Sequence, residues 1–263
     1  MNSTRTKEIL KVIDSGPFII AGPCSIESEE QIHRTAQDLS SKSVRLLRGG
    51  AFKPRTSPYS FQGLGYEGLK FMREAADLND MFVVSEVLES DQLTNHHELI
   101  DIIQIGSRNM SSFGLLKQVG RITAPTGKPV LLKRGFSATI SELLNAAEYI
   151  INEGNPNVIL CLRGIRTFEQ IDSYFRFTPD LGSIVELKEK TNLKVIYDPS
   201  HATGNAKYVT QFSKAAIQLG ADGLIIESHY KPEEAKSDKL QCVHPSEVGN
   251  IISSISQLEY EIH

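Results

Sequence analysis

The chain has 263 residues, with 28 Lys and Arg against 32 Asp and Glu, so its formal net charge is −4. This length allows one or two domains, and 40% hydrophobic with 23% charged residues is an ordinary globular composition that excludes a disordered chain. The mildly acidic balance argues against nucleic-acid binding. The longest apolar runs hold about five residues, far fewer than the roughly 20 of a membrane-spanning helix.

The cysteines indicate a reducing compartment. Cys24, Cys161 and Cys242 are odd in number and widely scattered, which argues against a disulfide framework. The polar segment from Met1 to Lys11 lacks the apolar core of a secretory signal. We therefore expect a cytoplasmic protein that binds neither nucleic acid nor a membrane.

Short apolar runs rich in β-branched residues recur along the chain, and their starts lie about 19 to 38 residues apart. That interval leaves room for a helix between consecutive strands. The predicted strands are Phe18–Ala21, Val44–Leu47, Phe82–Ser85, Asp101–Ile105, Val130–Leu132, Val158–Cys161, Lys194–Tyr197 and Gly223–Ile226. Apolar runs without alternation are typical of parallel strands covered on both faces.

Eight strand–helix units in a chain of this length predict an α/β fold, the (β/α)8 or TIM barrel, in a single domain. An open doubly wound sheet is the alternative, although it would normally use fewer strands. We expect residues 18–263 to form the catalytic barrel. Residues 1–17 are predicted to be a short N-terminal extension or a cap on the barrel bottom.

Local signals mark the starts of several helices. A Ser or Thr followed three residues later by Gln or Glu is the capping-box pattern, which satisfies free backbone N–H groups at a helix start. The pairs are Ser28 with Gln31, Thr139 with Glu142, and Thr167 with Gln170. Pro245 is predicted to open the last helix, because its missing N–H costs nothing there.

One glycine motif is misleading. Gly63, Gly65 and Gly68 satisfy the G-x-G-x-x-G spacing. A dinucleotide site needs a strand directly before that motif, whereas here Pro54 to Pro58 precede it. We reject a dinucleotide site and predict a flexible glycine loop over the barrel mouth.

Polar residues follow each predicted strand, at the end where barrel enzymes place their chemistry. They are Cys24, Arg48, Glu86, Arg108, Lys133, Arg163, Asp198 with His201, and Glu227. The cations among them and nearby are Arg48, Lys53, Arg55, Arg108, Lys133 and Arg163. Guanidinium groups bind oxyanions bidentately, so this cationic mouth predicts small phosphorylated or carboxylated substrates.

A metal site is predicted at the same end. Cys24, His201 and Glu227 follow strands one, seven and eight, which become neighbours when a barrel closes, and Asp238 lies in the loop after strand eight. This mixed donor set suits Mn²⁺, Fe²⁺, Co²⁺ or Zn²⁺. Because the four residues form no short local motif, a buried cysteine, a hydrogen-bonded histidine and two ordinary acids are the alternative. Cys161 lies inside an apolar run and is predicted to pack in the core.

Six longer motifs carry a family resemblance. They are Ala21 to Ser28, Arg48 to Ser57, Gln104 to Met110, Leu132 to Gly135, Leu162 to Thr167 and Asp198 to Gly204. In combination, they resemble the type I beta branch of the 3-deoxy-D-arabino-heptulosonate 7-phosphate (DAHP) synthases. The resemblance runs from about Phe18 to Cys242. It implies a divalent-metal-dependent, aldol-like condensation of phosphoenolpyruvate with erythrose 4-phosphate, which releases phosphate and begins the shikimate pathway of chorismate and aromatic amino acid biosynthesis.

The resemblance also implies roles for individual residues. Cys24, His201, Glu227 and Asp238 would bind the metal, with Mn²⁺ preferred. Phosphoenolpyruvate would be held by Arg48, Lys53, Arg108, Lys133 and Arg163. Arg55 and Thr56 would hold the aldose phosphate, while Glu86 and Asp198 would support the substrates or position water. Lys133, His201 and Cys24 are the catalytic candidates, and for Lys133 both proton transfer and a purely electrostatic role stay open.

Two alternatives and several departures accompany this assignment. An octulosonate 8-phosphate synthase acting on arabinose 5-phosphate is the competing enzyme, and a non-catalytic phosphometabolite-binding barrel is the competing class. The run from Lys53 to Ser57 matches the heptulosonate pattern. Leu162 and Phe177 stand where relatives usually have Glu and Asn, and Ser228 and Tyr230 alter the segment after Glu227. We expect a homo-oligomer, either dimer or tetramer, and a separate chorismate mutase as a regulatory partner.

Overall fold

The computed structural model describes residues 3–53, 59, 61–168 and 177–261. Its strands are β1 Phe18–Gly22, β2 Leu46–Arg48, β3 Phe82–Glu86, β4 Ile102–Ile105, β5 Val130–Lys133, β6 Val158–Leu162, β7 Lys194–Tyr197 and β8 Gly223–Glu227. The helices are α1 Ser3–Asp14, α2 Glu29–Ser40, α3 Gly65–Leu78, α4 Ser90–His96, α5 Phe113–Thr123, α6 Ile140–Ile151, α7 Gly182–Lys190, α8 Pro199–Thr203, α9 Ala206–Gln218 and α10 Pro245–Glu261. None of these helices is long and apolar enough to cross a membrane.

The strands form a closed parallel barrel in the order β1 to β8. Closure comes from the pairing of β1 with β8, from Phe18 opposite Gly223 to Gly22 opposite Glu227. The predicted TIM barrel is therefore confirmed, and the open doubly wound sheet is wrong because such a sheet leaves its edge strands unpaired. The predicted strands differ in bounds, most at β2, which begins at Leu46 rather than Val44 and includes Arg48.

Successive residues along each strand belong alternately to two apolar cores. Ile20, Leu131 and Ile225 belong to a cluster to which every strand contributes, inside the barrel. Their neighbours along the strands, such as Ala21, Leu132 and Ile226, belong to a larger cluster shared with the helices. Both strand faces are thus buried, which explains the unbroken apolar runs. Cys161 packs in the inner cluster, as predicted.

Helix α1 packs against the bottom of the barrel. Ile9 and Ile13 are buried in the inner cluster. Arg5 donates from Nε to Asp101 Oδ1 at 2.8 Å, and Arg73 donates from Nη1 to Asp101 Oδ2 at 2.6 Å. This buried carboxylate ties α1 to α3 and to the start of β4. The division into an extension of residues 1–17 and a catalytic barrel stays a prediction.

Two of the predicted helix caps are observed, and the third lies outside the described residues. Ser28 accepts the N–H of Gln31, and Thr139 forms a complete capping box with Glu142. Helix α10 begins at Pro245, as expected. Gln170, the partner predicted for Thr167, is not among the described residues.

The prediction of a flexible glycine loop is wrong, because α3 begins at Gly65 and contains Gly68. The glycines serve close packing instead. A Cβ at Gly63 would lie 2.0 Å from the carbonyl oxygen of Ala51, and the residue has a φ of 93°. Gly65 donates its N–H to the same oxygen at 3.0 Å. The segment therefore anchors the loop after β2 to the start of a helix.

Candidate active site at the carboxyl ends of the strands

A polar pocket opens where the eight strands end. It is lined by Arg48, Lys53, Glu86, Gln104, Gly106, Ser107, Arg108, Lys133, Phe136, Arg163, Phe177, His201 and Asp238. The five cations predicted to hold phosphoenolpyruvate are all in this lining. Because the strands are parallel and the barrel is closed, residues from distant parts of the sequence meet at this one end. Arg55 and Thr56 lie outside the described residues.

The predicted metal ligands converge at one side of the pocket. Ligand atoms of Cys24, Glu227 and Asp238 all lie within 4.8 Å of one another. His201 joins them from α8, with Nε2 at 3.4 Å from Glu227 Oε1. The register of β1 against β8 explains the convergence, since Gly22 pairs with Glu227 and Cys24 follows two residues later. Asp238 reaches the group from a left-handed backbone conformation with a φ of 52°, which Asp tolerates better than most residues.

The chemistry of this donor set fits a divalent cation. Burial and then the charge of Glu227 raise the pKa of the Cys24 thiol to about 12. Glu227 is fully buried, yet the charges of His201 and Arg48 outweigh that burial and lower its pKa. The pKa of the thiol is raised although Lys53 and Arg48 lie beside it, so these two cations do not offset its burial and the charge of Glu227. A divalent cation would supply further positive charge and deprotonate the thiol.

Two basic side chains also contact this group. Arg48 donates from Nη1 to Glu227 Oε1 at 2.9 Å and from Nη2 to the carbonyl oxygen of Cys24 at 3.2 Å. Lys53 donates from Nζ to the same carbonyl at 2.9 Å and to Cys24 Sγ at 3.1 Å. The loops after β1 and β2 therefore hold each other through the residues that line the pocket.

Asp198 links the histidine to a buried lysine. Its Oδ2 accepts from His201 Nδ1 at 2.8 Å and from Lys133 Nζ at 2.5 Å, and its Oδ1 accepts the backbone N–H of His201 at 2.9 Å. Burial opposes its ionisation, but the charges of His201 and Lys133 outweigh that effect and hold the pKa of Asp198 well below its usual value. The contact with Asp198 orients the imidazole so that its Nε2 faces Glu227 and the ligand group.

Glu86 occupies a space that only a glycine leaves open. A Cβ at Gly106 would lie 1.9 Å from Glu86 Oε1. Gln104 donates from Nε2 to Glu86 Oε2 at 3.3 Å. The carboxylate thus lies over the backbone of the loop after β4, beside Arg108, which lines the same pocket.

Sequence reasoning missed the neutral residues of the site. Gln241 donates from Nε2 to Glu227 Oε2 at 2.7 Å, and Ser200 accepts the N–H of Glu227 at 3.0 Å. Phe136 and Phe177 form the aromatic wall beside Arg163. Ser200 lies inside a quoted motif, but Gln241 and Phe136 have no local signal. His229, close to Glu227 in sequence, instead accepts the N–H of Lys231 at Nδ1, at 2.9 Å.

A closed (β/α)8 barrel with a cationic pocket beside a thiol, imidazole and carboxylate group defines a class of barrel that binds oxyanions next to a metal. The profile of the DAHP synthetase I family matches residues 2–262. The chain belongs to that family, as the resemblance of its motifs predicts.

Similarity to individual proteins agrees with the family. The chain is 51% identical over 230 residues to a phospho-2-dehydro-3-deoxyheptonate aldolase of Thermotoga maritima, a match that covers 87% of this chain and 66% of that protein. A crystal structure of the DAHP synthase of Thermotoga maritima superposes with a TM-score of 0.88 and 47% identity, covering 94% of this chain and 70% of the other. A 2-dehydro-3-deoxyphosphooctonate aldolase of Francisella tularensis is 27% identical over 261 residues, covering 92% of this chain and 91% of that protein.

Proposed function

We propose that the chain condenses phosphoenolpyruvate with erythrose 4-phosphate to give 3-deoxy-D-arabino-heptulosonate 7-phosphate and inorganic phosphate, the first step of the shikimate pathway. The observation that carries this proposal is the meeting of Cys24, His201, Glu227 and Asp238 at the edge of a pocket lined by five basic side chains. The family and the 51% identical relative support the same activity.

The metal would be held by Cys24, His201, Glu227 and Asp238. A bound divalent ion would supply Lewis acidity to the aldehyde oxygen of the aldose, which would favour attack of carbon three of phosphoenolpyruvate on the aldehyde carbon. The mixed donors do not select sharply among Mn²⁺, Fe²⁺, Co²⁺ and Zn²⁺. We propose Mn²⁺ as the ion in use.

The basic residues would bind the negative groups of phosphoenolpyruvate. Arg108, Lys133 and Arg163 come from the ends of the neighbouring strands β4, β5 and β6, whereas Arg48 and Lys53 come from the end of β2. Two such groups of cations suit a small molecule with a phosphate and a carboxylate. Their charges would stabilise both groups while positive charge develops at carbon two and water adds there. Phosphate then leaves from that carbon.

Lys133 is in a position to transfer a proton. Its Nζ donates to Asp198 Oδ2 at 2.5 Å, and the side chain lines the pocket. Through its Oδ2, Asp198 holds the side chains of Lys133 and His201 in place at the same time. Proton transfer and electrostatic support are both open to this lysine.

The choice of aldose is the sharpest test of the proposal. In the segment from Lys53 to Ser57, Pro54 fixes its own φ and restricts Lys53 to extended backbone, and Arg55 and Thr56 would hold the aldose phosphate at a set distance from the metal. A five-carbon sugar phosphate is one carbon longer. Misplacement by about 1 Å costs roughly a hundredfold in rate.

We therefore expect kcat/KM for erythrose 4-phosphate to exceed that for arabinose 5-phosphate by about 100-fold. Phosphate release would be measured with each sugar, before and after chelation and after addition of Mn²⁺, with metal content checked by elemental analysis. His201→Ala serves as the inactive control. Equal efficiency with the two sugars would overturn the assignment of erythrose 4-phosphate as the substrate. Full turnover by metal-free protein would refute the metal-dependent mechanism.

Three further predictions concern the cell. We propose a cytoplasmic location, which the three free cysteines support. The homo-oligomer and the separate chorismate mutase stay predictions.

A further inference from the structure

One aromatic ring gathers three arginines from two loops at the barrel mouth. The Cζ atoms of Arg163, Arg108 and Arg166 lie 5.0, 5.4 and 5.4 Å from the ring centroid of Phe136. Phe136 is half-buried in the loop after β5 and lines the pocket. Arg108 comes from the loop after β4, and the other two arginines come from the loop after β6. Arg166 has no role in the assignment above.

Phe177 adds a second ring. It stacks on Phe136 with centroids 5.4 Å apart and an interplanar angle of 20°. The Cζ atom of Arg163 lies 3.9 Å from the centroid of Phe177, closer than to Phe136. Both rings therefore contact the guanidinium group of Arg163.

Backbone contacts hold the rings and the cations in register. Arg166 donates its N–H to the carbonyl oxygen of Phe136 at 2.6 Å. Ile165 and Thr178 exchange N–H···O bonds at 3.0 and 2.8 Å, which ties the start of the β6 loop to the segment that holds Phe177. Gly164 donates its N–H to Asp180 Oδ1 at 2.7 Å. Main-chain contacts thus fix both rings relative to the loop after β6, which carries Arg163 and Arg166.

The aromatic rings offset the electrostatic repulsion between the arginines. Three guanidinium charges around one ring repel one another when no anion is bound, and two of them, those of Arg108 and Arg163, line the pocket. The negative face of an aromatic ring attracts each of them, and a cation over a ring keeps its N–H groups for an oxyanion. A pocket that holds its cations in place before binding loses less free energy to ordering when the anion arrives.

We propose that Phe136 and Phe177 form an aromatic platform that positions Arg108, Arg163 and Arg166 for the phosphate or carboxylate of the substrate. Phe136 and Phe177 are positioning residues, and Arg166, which lies next to the pocket on the same ring, would be a third cation for the anion. The identity of the substrate as phosphoenolpyruvate rests on the proposed function, whereas the binding of a small oxyanion by the platform does not.

The test replaces the ring and then restores it. We expect Phe136→Leu to raise the KM for phosphoenolpyruvate about tenfold. The reason is that the substitution removes the cation–π contacts of all three arginines with this ring. The KM for erythrose 4-phosphate and kcat should stay within about twofold, which a general loss of structure would not allow. Phe136→Tyr keeps the ring and should restore the wild-type KM. Phe113→Leu is the matched control, because Phe113 stacks on Tyr149 of α6.

Calorimetric titration with inorganic phosphate keeps this test separate from the proposed function. The Kd for phosphate should rise about tenfold in Phe136→Leu, and also in Phe177→Asn, whether or not the wild-type protein condenses the two substrates. If Phe136→Leu does not fold, the Kd of Phe177→Asn for phosphate tests the proposal instead. Phosphate affinity within twofold of wild type in a folded ring-removal variant would overturn the proposal. So would a Tyr variant as weak as the Leu variant.

Discussion

Asp198 offers a direct test of how this site is held together, through the variant Asp198→Asn. The buried carboxylate accepts from Lys133 Nζ at 2.5 Å and from His201 Nδ1 at 2.8 Å. Its pKa lies well below the usual value, because the charges of His201 and Lys133 outweigh the effect of burial. It is therefore ionised throughout the neutral range. The amide keeps the shape of the carboxylate and removes its charge.

Two losses follow from that change. The side chain of Lys133 is only 6% exposed, and an ion left buried without its partner typically costs about 3 kcal/mol or more of folding free energy. Loss of the carboxylate that orients a metal-binding histidine costs roughly 10 to 100-fold in metal affinity or activity. We expect the unfolding free energy to fall by about 3 kcal/mol and kcat/KM to fall up to about 100-fold.

Urea unfolding, phosphate release and bound metal would be measured on the same preparation. Asp222→Asn is the matched control, because Asp222 accepts from Lys188 at 2.9 and 2.8 Å at the opposite end of the barrel, with the lysine side chain 37% exposed. The Asp222 carboxylate, which is 18% exposed, also accepts the N–H of Val195 at 2.7 Å, a bond that an Asn side-chain oxygen can keep. Loss of this partly exposed ion pair should cost at most about 1 kcal/mol and nothing in turnover. An Asp198→Asn protein with wild-type metal content and kcat/KM within twofold would refute this reasoning.

Two further predictions concern the bottom of the barrel. Asp101→Asn leaves the guanidinium groups of Arg5 and Arg73 without their buried carboxylate and should lower the unfolding free energy by about 3 kcal/mol. Burial opposes the ionisation of Asp101, but Arg5 and Arg73 outweigh that effect and lower its pKa. The difference in unfolding free energy between the wild type and Asp101→Asn should therefore be complete above the ordinary pKa of an aspartate and shrink as the pH falls below it. A difference that does not depend on pH would contradict this role of the Asp101 charge. Lys128 is buried with its Nζ donating to the carbonyls of His97 and Ile100, and burial lowers its pKa from 10.5 to about 8. Between pH 8 and 10.5 the unfolded chain therefore binds more protons at Lys128 than the folded protein does. Over this range the unfolding free energy of the wild type should rise by up to about 3 kcal/mol relative to that of Lys128→Met. Parallel curves of unfolding free energy against pH for the two proteins would show that Lys128 does not titrate in this range.

Local patterns in the sequence predict much of the barrel. Strand positions follow from apolar runs such as Val158–Leu162, since both faces of a covered parallel strand exclude polar side chains. The helix caps at Ser28 and Thr139 can also be predicted from the sequence, because a capping box depends on residues three positions apart. The same motifs carry the family resemblance and, with it, the proposed ligands and basic residues.

Short-range patterns mislead where tertiary contacts decide the conformation. The glycines from Gly63 onward have the composition of a loop, but α3 starts within them. The reason is that Ala51 approaches closely enough to exclude a Cβ at Gly63 and to accept the N–H of Gly65. No pattern inside the segment records that neighbour, which lies more than ten residues away in the sequence.

The sequence alone therefore determined the kinds of element, their order, and the residue types at the ends of the strands. Only the tertiary structure decided which of those residues meet. Cys24 lies 3.1 Å from the carboxylate of Asp238 across a separation of 214 residues, because β1 pairs with β8 in a specific register. The aromatic rings under the arginines likewise belong to different loops, and apolar residues outside a periodic element have no sequence signal of their own. Periodicity and capping act over a few residues, whereas barrel closure and its register are properties of the whole sheet.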